Sequence, residues 1–261
     1  MRVIAIVNQK GGVGKTTTSI NLAAALALEG QSVLLVDIDP QGNASTGLGV
    51  SRQNREKSIY HVLTEDLSLA EAIQPTSVEK LHIVPSHVDL SAAEMEIGSQ
   101  DGRTTLMRKK VAELVRDGRR RYDYVLIDCP PSLNLLTVNA LTAARSVIVP
   151  LQCEFFALEG LSQLLQTVEM AKANLNPSLV IDGVMLTMYD QRNRLSSQVA
   201  EDVRKHLGRA VFKTLIPRNV RIAEAPSFGQ PVLTYDPTCA GSVAYQDLAI
   251  ELLQRHKKTK E

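Results

Sequence analysis

A glycine-rich stretch near the beginning of the sequence contains residue types that bind phosphate groups. The letters KGGVGKTT occupy residues 10–17, after the apolar run VIAIV at 3–7 and before an Ala- and Leu-rich segment. Glycines let the backbone curl so that successive N–H groups point inward, and the N-terminus of a following helix adds partial positive charge. Lys15 brings a full charge to the β- and γ-phosphates, and the Thr16 hydroxyl is a ligand for Mg²⁺. We therefore predict a phosphate-binding loop between a strand and a helix.

This loop departs from the usual pattern G-x-x-x-x-G-K-[ST] at the first position of the pattern. Gln9 stands where that glycine is expected, and a second lysine, Lys10, follows it. A sequence of this kind rarely forms a plain turn after a strand. The predicted nucleotide-binding residues of the loop are Lys10, Gly11, Gly12, Val13, Gly14, Lys15, Thr16 and Thr17.

Carboxylates follow two other apolar runs. Asp37 and Asp39 come after a run of Val and Leu residues, and Asp128 ends a similar run. A carboxylate after a buried strand helps to hold Mg²⁺, and one beside a terminal phosphate orients the attacking water. We therefore interpret Thr16, Asp39 and Asp128 as magnesium ligands and Asp39 also as a catalytic residue, with Asp37 in an assisting role. A simple turn before residues 40–42 is the alternative for the two residues Asp37 and Asp39.

Apolar runs alternate with amphipathic segments along the whole chain. Strands are predicted at 3–7, 32–36, 81–85, 124–128, 146–150, 180–188 and 211–216. Helices are predicted at 16–29, 59–63, 69–73, 90–97, 104–116, 133–144, 158–175, 196–207 and 243–256. Alternation of this kind builds βαβ units, so we predict one α/β domain over 1–261, with a mostly parallel twisted sheet and helices on both faces. Ligands of such sheets bind at the carboxyl ends of the strands, where the glycine loop and the aspartates would meet.

The composition argues against several protein classes. The formal net charge of +1 indicates that any site for a polyanion must be a local patch. Cys129, Cys153 and Cys239 are scattered without C-x-x-C spacing, which argues against a disulfide framework and a zinc site. No window approaches the roughly 18 apolar residues of a membrane helix, and the first apolar run is too short for a signal peptide. We therefore expect a soluble cytoplasmic protein without stable membrane association.

Basic residues are concentrated in the segment 188–221. Eight basic residues stand there against three acidic ones, a surplus of five that contrasts with the net charge of the whole chain. Such a patch suits contact with a nucleic-acid backbone, which is independent of sequence and sensitive to salt. A solvated helix face is the alternative interpretation.

Five segments resemble the ParA/MinD family of ATPases. The loop at 10–17 is similar to the deviant Walker A motif of that family, DIDPQGN at 37–43 to its switch I motif, and IDCPPS at 127–132 to its Walker B motif. The segments LTMYD at 186–190 and IPRNVR at 216–221 resemble the ParA/Soj branch, which partitions chromosomes and plasmids. The similarity covers essentially the whole chain, so the P-loop NTPase fold is the fold that it implies.

The resemblance implies ATP and Mg²⁺ as cofactors and a dimer as the active form. In the family, the lysine at the position of Lys10 reaches across a nucleotide-sandwich dimer to the phosphates bound by the partner subunit. On the basis of this resemblance, we expect both Lys10 and Lys15 to be catalytic residues. The family also uses a loop at the position of Pro217 and Asn219 to touch adenine.

The resemblance further implies DNA binding without sequence preference. Arg192 and Arg221 match positions that family members use for this purpose, and Arg218 lies in the same basic segment. We predict an ATP-dependent dimerisation switch that hydrolyses ATP slowly and segregates chromosomal or plasmid DNA. A ParB-like partner would stimulate it, and the protein would associate with the nucleoid. Only Met1 and Arg2 precede the first strand, where many relatives carry a basic segment for that partner, so the contact site for the partner stays open.

Three alternative functions remain. A ParA-like ATPase that positions a protein cargo on the nucleoid would share the same motifs. A MinD-like membrane-cycling ATPase would need an amphipathic C-terminal helix, for which 252–258 is too short and too polar. An electron-transfer ATPase like the nitrogenase iron protein would need cysteines at a shared cluster, and neither Cys129 nor Cys153 matches that placement.

Overall fold

The computed structural model of the 261-residue chain describes residues 1–118, 120–154 and 157–258. Its strands are β1 (Arg2–Ile6), β2 (Val33–Asp37), β3 (Gln74–Pro75), β4 (Leu81–Val84), β5 (Tyr124–Asp128), β6 (Ser146–Gln152), β7 (Val180–Tyr189) and β8 (Val211–Pro217). Its α-helices are α1 (Lys15–Leu28), α2 (Asn43–Gly47), α3 (Ile59–Thr64), α4 (Leu90–Gly98), α5 (Leu106–Asp117), α6 (Leu135–Ala143), α7 (Ala157–Asn174), α8 (Arg194–Leu207), α9 (Val220–Glu224), α10 (Val232–Tyr235) and α11 (Ala240–Lys258). Each of the seven predicted strands has a counterpart among these elements.

The strands form a single eight-stranded sheet with the order β3-β4-β2-β5-β1-β6-β7-β8. All pairings are parallel except that of β3 with β4. The central strands β2 and β5 are buried at every residue, which explains their continuous apolar sequences. In the register of β1 with β5, Ile6 lies beside Asp128, so both strands end at the same edge of the sheet. We call this edge, where the parallel strands end, the carboxyl edge.

Each face of the sheet packs against its own set of helices. Alternate residues of β1 point to opposite faces, so Val3 joins one hydrophobic cluster and Ile4 the other. The first cluster is covered by α3 to α8, and the second by α1, α2 and α9 to α11. The predicted α/β architecture with helices on both faces is therefore confirmed.

The sequence patterns missed the shortest elements. The two residues of β3 are too few to show a period, and its Pro75 stands on the outer strand, where a missing N–H is tolerated. The predicted helix at 69–73 is a single 3₁₀ turn, Leu69–Ala72. The short helix α10, which the sequence did not predict, is held by a tertiary contact. The side chain of Asn21 on α1 accepts a hydrogen bond from the Val232 N–H at the start of α10. No helix in the described ranges is long and apolar enough to cross a membrane.

Candidate functional site

The glycine loop connects β1 to α1 at the carboxyl edge. Gly12 and Gly14 have φ angles of 74° and 90°, in the left-handed region that favours glycine. Two neighbouring strands hold the loop in place. The Thr187 hydroxyl on β7 donates a hydrogen bond to the Val13 carbonyl at 2.8 Å, and the Asn8 amide donates to the Pro150 carbonyl on β6 at 2.7 Å.

Lys15 begins α1, and its side chain is buried under the loop. Its ammonium group donates a hydrogen bond to the Lys10 carbonyl at 2.9 Å. Burial lowers the pKa of Lys15, while the charges of Asp128 and Asp39 oppose this effect. The lysine is therefore directed toward the two carboxylates that the sequence placed at the same edge.

Asp128 lies at the end of β5 and is completely buried. The Ser19 hydroxyl on α1 donates a hydrogen bond to its Oδ1 atom at 2.7 Å. Its Oδ2 atom is buried, and the described residues offer that atom no well-formed hydrogen bond. Burial, reinforced by the charge of Asp37, raises the pKa of Asp128 to about 8, although the hydroxyls of Ser19 and Thr16 oppose the rise. An unsatisfied buried carboxylate oxygen beside a phosphate-binding loop is suited to a cation or to a water bound by one.

Asp37 and Asp39 differ in their surroundings. Both oxygens of Asp37 are engaged: Oδ1 accepts from the Asp39 N–H at 3.2 Å, and Oδ2 accepts from the Ser45 N–H and hydroxyl at 2.8 and 2.7 Å. Burial raises the pKa of Asp37 to about 6. The carboxylate of Asp39 accepts a hydrogen bond from the Gln41 N–H at 3.0 Å and borders an open cleft. Asp37 therefore builds the turn that presents Asp39.

Two adjoining cavities open on this edge. The phosphate cleft has a volume of about 350 Å³. Its walls are Gly11, Gly12, Gly14, Lys15, Thr16, Thr17, Asp39, Gln41, Asn43, Pro131 and Met188. The adjoining pocket, of about 190 Å³, has mainly apolar walls, among them Ile216, Ile222 and Ala223, and we call it the apolar pocket. The predicted Pro217 and Asn219 also line it. Both cavities share walls at Gly14, Thr17 and Met188, so one extended ligand can occupy both.

The side chain of Lys10 leaves the loop in a different direction from that of Lys15. Its ammonium group forms an ion pair with the carboxylate of Glu154, and the side chain is 48% exposed. Lys10 is not among the described residues that line the phosphate cleft. The two lysines of the loop thus face different surroundings, one inside the subunit and one at its surface.

The three predicted DNA-contacting arginines follow β7 and β8 at the carboxyl edge. Arg192 is 91% exposed and pairs with Asp190 at 3.2 Å. Arg221, on α9, pairs with Glu224 at 2.9 Å and with Asp236 at 3.3 Å. Arg218 lines the apolar pocket. Two of these cations therefore have carboxylate partners, which a count of charges along the sequence does not show.

Sequence reasoning missed Thr187 and Met188 as site residues. Met188 lies between the two cavities and has a φ angle of 52°, a conformation that costs free energy for a residue with a side chain. Both residues end the strand predicted at 180–188 and lie in the segment LTMYD at 186–190, so the strand terminus and that resemblance were the two available signals. The residue types alone gave no signal, because Met is an ordinary core residue.

Comparisons with known proteins place the chain among bacterial partitioning proteins. The family model described as AAA domain matches residues 1–181. The chain is 56% identical to the chromosome partitioning protein ParA of Caulobacter vibrioides, over 98% of this chain and 96% of the relative. It is 52% identical to the sporulation initiation inhibitor protein Soj of Bacillus subtilis, over 96% of this chain and 98% of the relative.

One solved structure extends the comparison to bound ligands. Cobyrinic acid a,c-diamide synthase from Mycobacterium smegmatis, solved with a bound ATP analogue and magnesium, superposes with a TM-score of 0.85. The two chains are 38% identical, and the match covers 100% of this chain and 97% of that chain. The fold is therefore one that holds an adenine nucleotide and Mg²⁺ in at least one solved relative.

Proposed function

Because the chain belongs to the family of chromosome partitioning proteins that includes ParA and Soj, we propose that it is an ATP-dependent dimerisation switch. It hydrolyses ATP slowly, binds DNA without sequence preference as a dimer, and segregates chromosomal or plasmid DNA on the nucleoid. A ParB-like partner stimulates the hydrolysis. The partitioning relatives are more similar in sequence to this chain than the diamide synthase is, so we propose a partitioning function and not that of the synthase.

ATP fits the two adjoining cavities. The triphosphate occupies the phosphate cleft, where the loop amides and the N-terminus of α1 supply N–H donors and Lys15 supplies a full charge. Adenine occupies the apolar pocket between Pro217 and Asn219. The shared walls at Gly14 and Thr17 leave the path for the ribose open.

The residues around Asp128 also fit Mg²⁺. The Thr16 hydroxyl and the carboxylates of Asp39 and Asp128 are hard oxygen donors, and the Oδ2 atom of Asp128 lacks a well-formed hydrogen bond among the described residues. When bound there, Mg²⁺ would neutralise negative charge on the phosphate oxygens of the nucleotide. A neighbouring cation also favours the ionised form of Asp128, whose pKa the protein alone raises.

Hydrolysis uses Asp39 and Lys15. Asp39 is held at the rim of the cleft by the Gln41 N–H, and from there its carboxylate orients the attacking water. Lys15 exchanges its hydrogen bond to the Lys10 carbonyl for the phosphates, where its charge stabilises the transition state.

Dimerisation uses Lys10. Its side chain lies at the surface and outside the phosphate cleft of its own subunit, so it is available to the nucleotide of a second subunit. To reach that nucleotide it exchanges the carboxylate of Glu154 for phosphate oxygens, which form strong charge-assisted hydrogen bonds. The dimer then lasts only while the γ-phosphate is present.

DNA binding uses the arginines that follow β7 and β8. The exposed guanidinium of Arg192, and that of Arg221, exchange their present carboxylate partners for DNA phosphates. Arg218 adds charge to the same edge. Contacts of this type do not read the base sequence and weaken as the salt concentration rises.

The observation that carries this proposal is that the side chains of Lys10 and Lys15, two lysines of one loop, point in different directions. Lys15 lies in the phosphate cleft of its own subunit, and Lys10 lies at the surface. Lys15→Ala should abolish ATP binding, whereas Lys10→Ala should keep ATP binding and lose ATP-dependent dimerisation. The measurement is light scattering of the protein with a non-hydrolysable ATP analogue, together with the dissociation constant of that analogue. Lys57→Ala, which changes an exposed lysine elsewhere, is the matched control. A Lys10→Ala protein that still dimerises with the analogue would refute the cross-subunit role.

A further inference from the structure

Arg55 is a buried arginine in the segment between α2 and α3, and no sequence motif assigns it a role. Its Nη2 atom donates hydrogen bonds to the Val50 carbonyl and to the Thr46 hydroxyl, both at 2.8 Å. Within the described part of the chain, no carboxylate lies at ion-pair distance from it. A buried cation without a bonded carboxylate costs folding free energy, and here its hydrogen bonds converge on the surroundings of one catalytic turn.

A series of hydrogen bonds leads from Arg55 to Asp39. The Thr46 hydroxyl, which accepts from Arg55, donates to the Gly42 carbonyl at 3.1 Å. The Gly42 N–H in turn donates to the Asp39 carbonyl at 2.8 Å. The residue that borders the phosphate cleft is thus connected to the guanidinium through two intermediate residues.

Close packing adds to this connection. Gly42 has a φ angle of 62°, and a β-carbon at this position would collide with the Nη1 atom of Arg55. The same Nη1 atom faces the Ser86 carbonyl beyond β4 at 3.5 Å, while the Ser86 N–H donates to the Ser45 hydroxyl at 3.0 Å. The guanidinium therefore fills the space between the Asp39 turn, α2 and the end of β4.

We propose that Arg55 is a positioning residue for the Asp39 turn. By holding Thr46 and Gly42, it fixes the direction in which the Asp39 carboxylate enters the phosphate cleft. The inference rests on the role proposed above for Asp39 as the residue that orients the attacking water. It assigns Arg55 no contact with the nucleotide, so its effect belongs to turnover rather than to ATP affinity.

The first test uses two substitutions at Thr46. Thr46→Val keeps the shape of the side chain and removes the hydroxyl, so it breaks the series, whereas Thr46→Ser keeps the hydroxyl and serves as the matched control. For Thr46→Val we expect kcat for ATP hydrolysis to fall about tenfold with KM within about twofold of the native value, because a misplaced catalytic group costs turnover. Thr46→Ser should stay within about twofold of the native kcat.

The second test combines positions. Arg55→Met should also lower kcat about tenfold, and the double variant Arg55→Met/Thr46→Val should lose about as much as either single variant, because both break one series. A thermal melt of each variant identifies any that does not fold. If Arg55→Met does not fold, the comparison of Thr46→Val with Thr46→Ser tests the proposal by itself.

Three results would overturn the proposal: a native kcat in Thr46→Val, an equal loss in Thr46→Ser, or losses that multiply to about a hundredfold in the double variant. The parent role of Asp39 is tested separately. If Asp39→Ala hydrolyses ATP at the native rate, the proposed function of Asp39 fails. If Asp39→Ala is inactive and Thr46→Val is native, only the role of Arg55 fails.

Discussion

Replacing Asp128 by asparagine should stabilise the nucleotide-free protein and abolish its magnesium-dependent ATPase activity. Asparagine keeps the oxygen that accepts from Ser19. It removes a charge that the fold disfavours, since burial raises the pKa of Asp128 from 3.8 to about 8. The folded protein binds this proton more tightly than the unfolded chain does. The stability of the native protein therefore falls as the pH rises from about 4 to about 8, and the variant is spared this loss.

The magnitude follows from the linkage between pKa and stability. At pH 7 the shift corresponds to about 4 kcal/mol of unfolding free energy, and at pH 5 to less than half of that. For a chain of this length, about 2 °C in melting temperature corresponds to each kcal/mol. Asp128→Asn should therefore melt about 8 °C above the native protein at pH 7 and about 3 °C above it at pH 5.

The assay is differential scanning calorimetry in EDTA without nucleotide, from pH 5 to pH 8. Asp101→Asn, which changes an exposed aspartate, is the control and should give a difference that does not vary with pH. If the advantage of Asp128→Asn is constant or shrinks as the pH rises, the buried carboxylate is not protonated in the free fold, and the reasoning is wrong.

Two further substitutions test the remaining roles. Asp39→Ala should bind ATP and dimerise with it but hydrolyse it at least about a hundredfold more slowly, because the attacking water loses its orienting group. Light scattering measures the dimer, and phosphate release measures the hydrolysis. A monomer in the presence of ATP would contradict the assignment. Arg221→Ala should weaken DNA binding and lower the slope of log affinity against log salt by about one per lost phosphate contact. Arg145→Ala, an exposed arginine at the opposite edge of the sheet, should leave that slope unchanged.

The central architecture could be predicted because the sheet buries both faces. Strands such as β2 and β5 are apolar at nearly every position, and the glycine loop has to follow the first of the strands. The short helices α9 and α10 could not be predicted. The helix α9 begins where the side-chain amide oxygen of Asn219 accepts a hydrogen bond from the Arg221 N–H, and α10 begins where the side chain of Asn21 on α1 accepts one from the Val232 N–H. Neither helix is long enough to show an apolar period.

The candidate site shows the same division. Lys15 and Asp128 are recognisable because strand, loop and carboxylate stand in a fixed order along the chain. Arg55 is not recognisable, since a single arginine in a polar segment has no period and no motif, and only the folded chain brings it against Gly42. A count of charges over 188–221 includes Asp190 but does not show that it pairs with Arg192, and it leaves out Asp236, which pairs with Arg221 from beyond that segment.

Because the two cavities share walls, a nucleotide bound as proposed would be a bivalent ligand. In the binding mode proposed above, adenine and triphosphate would each occupy one cavity, and the ribose would connect them across Gly14 and Met188. We therefore expect adenosine and inorganic triphosphate to bind separately and weakly, because only the covalent link between them raises the effective concentration of each at its own cavity. Selectivity for the base and affinity for the phosphates can change separately at the walls that are not shared, such as Ile216 and Ile222 in one cavity and Asp39 in the other.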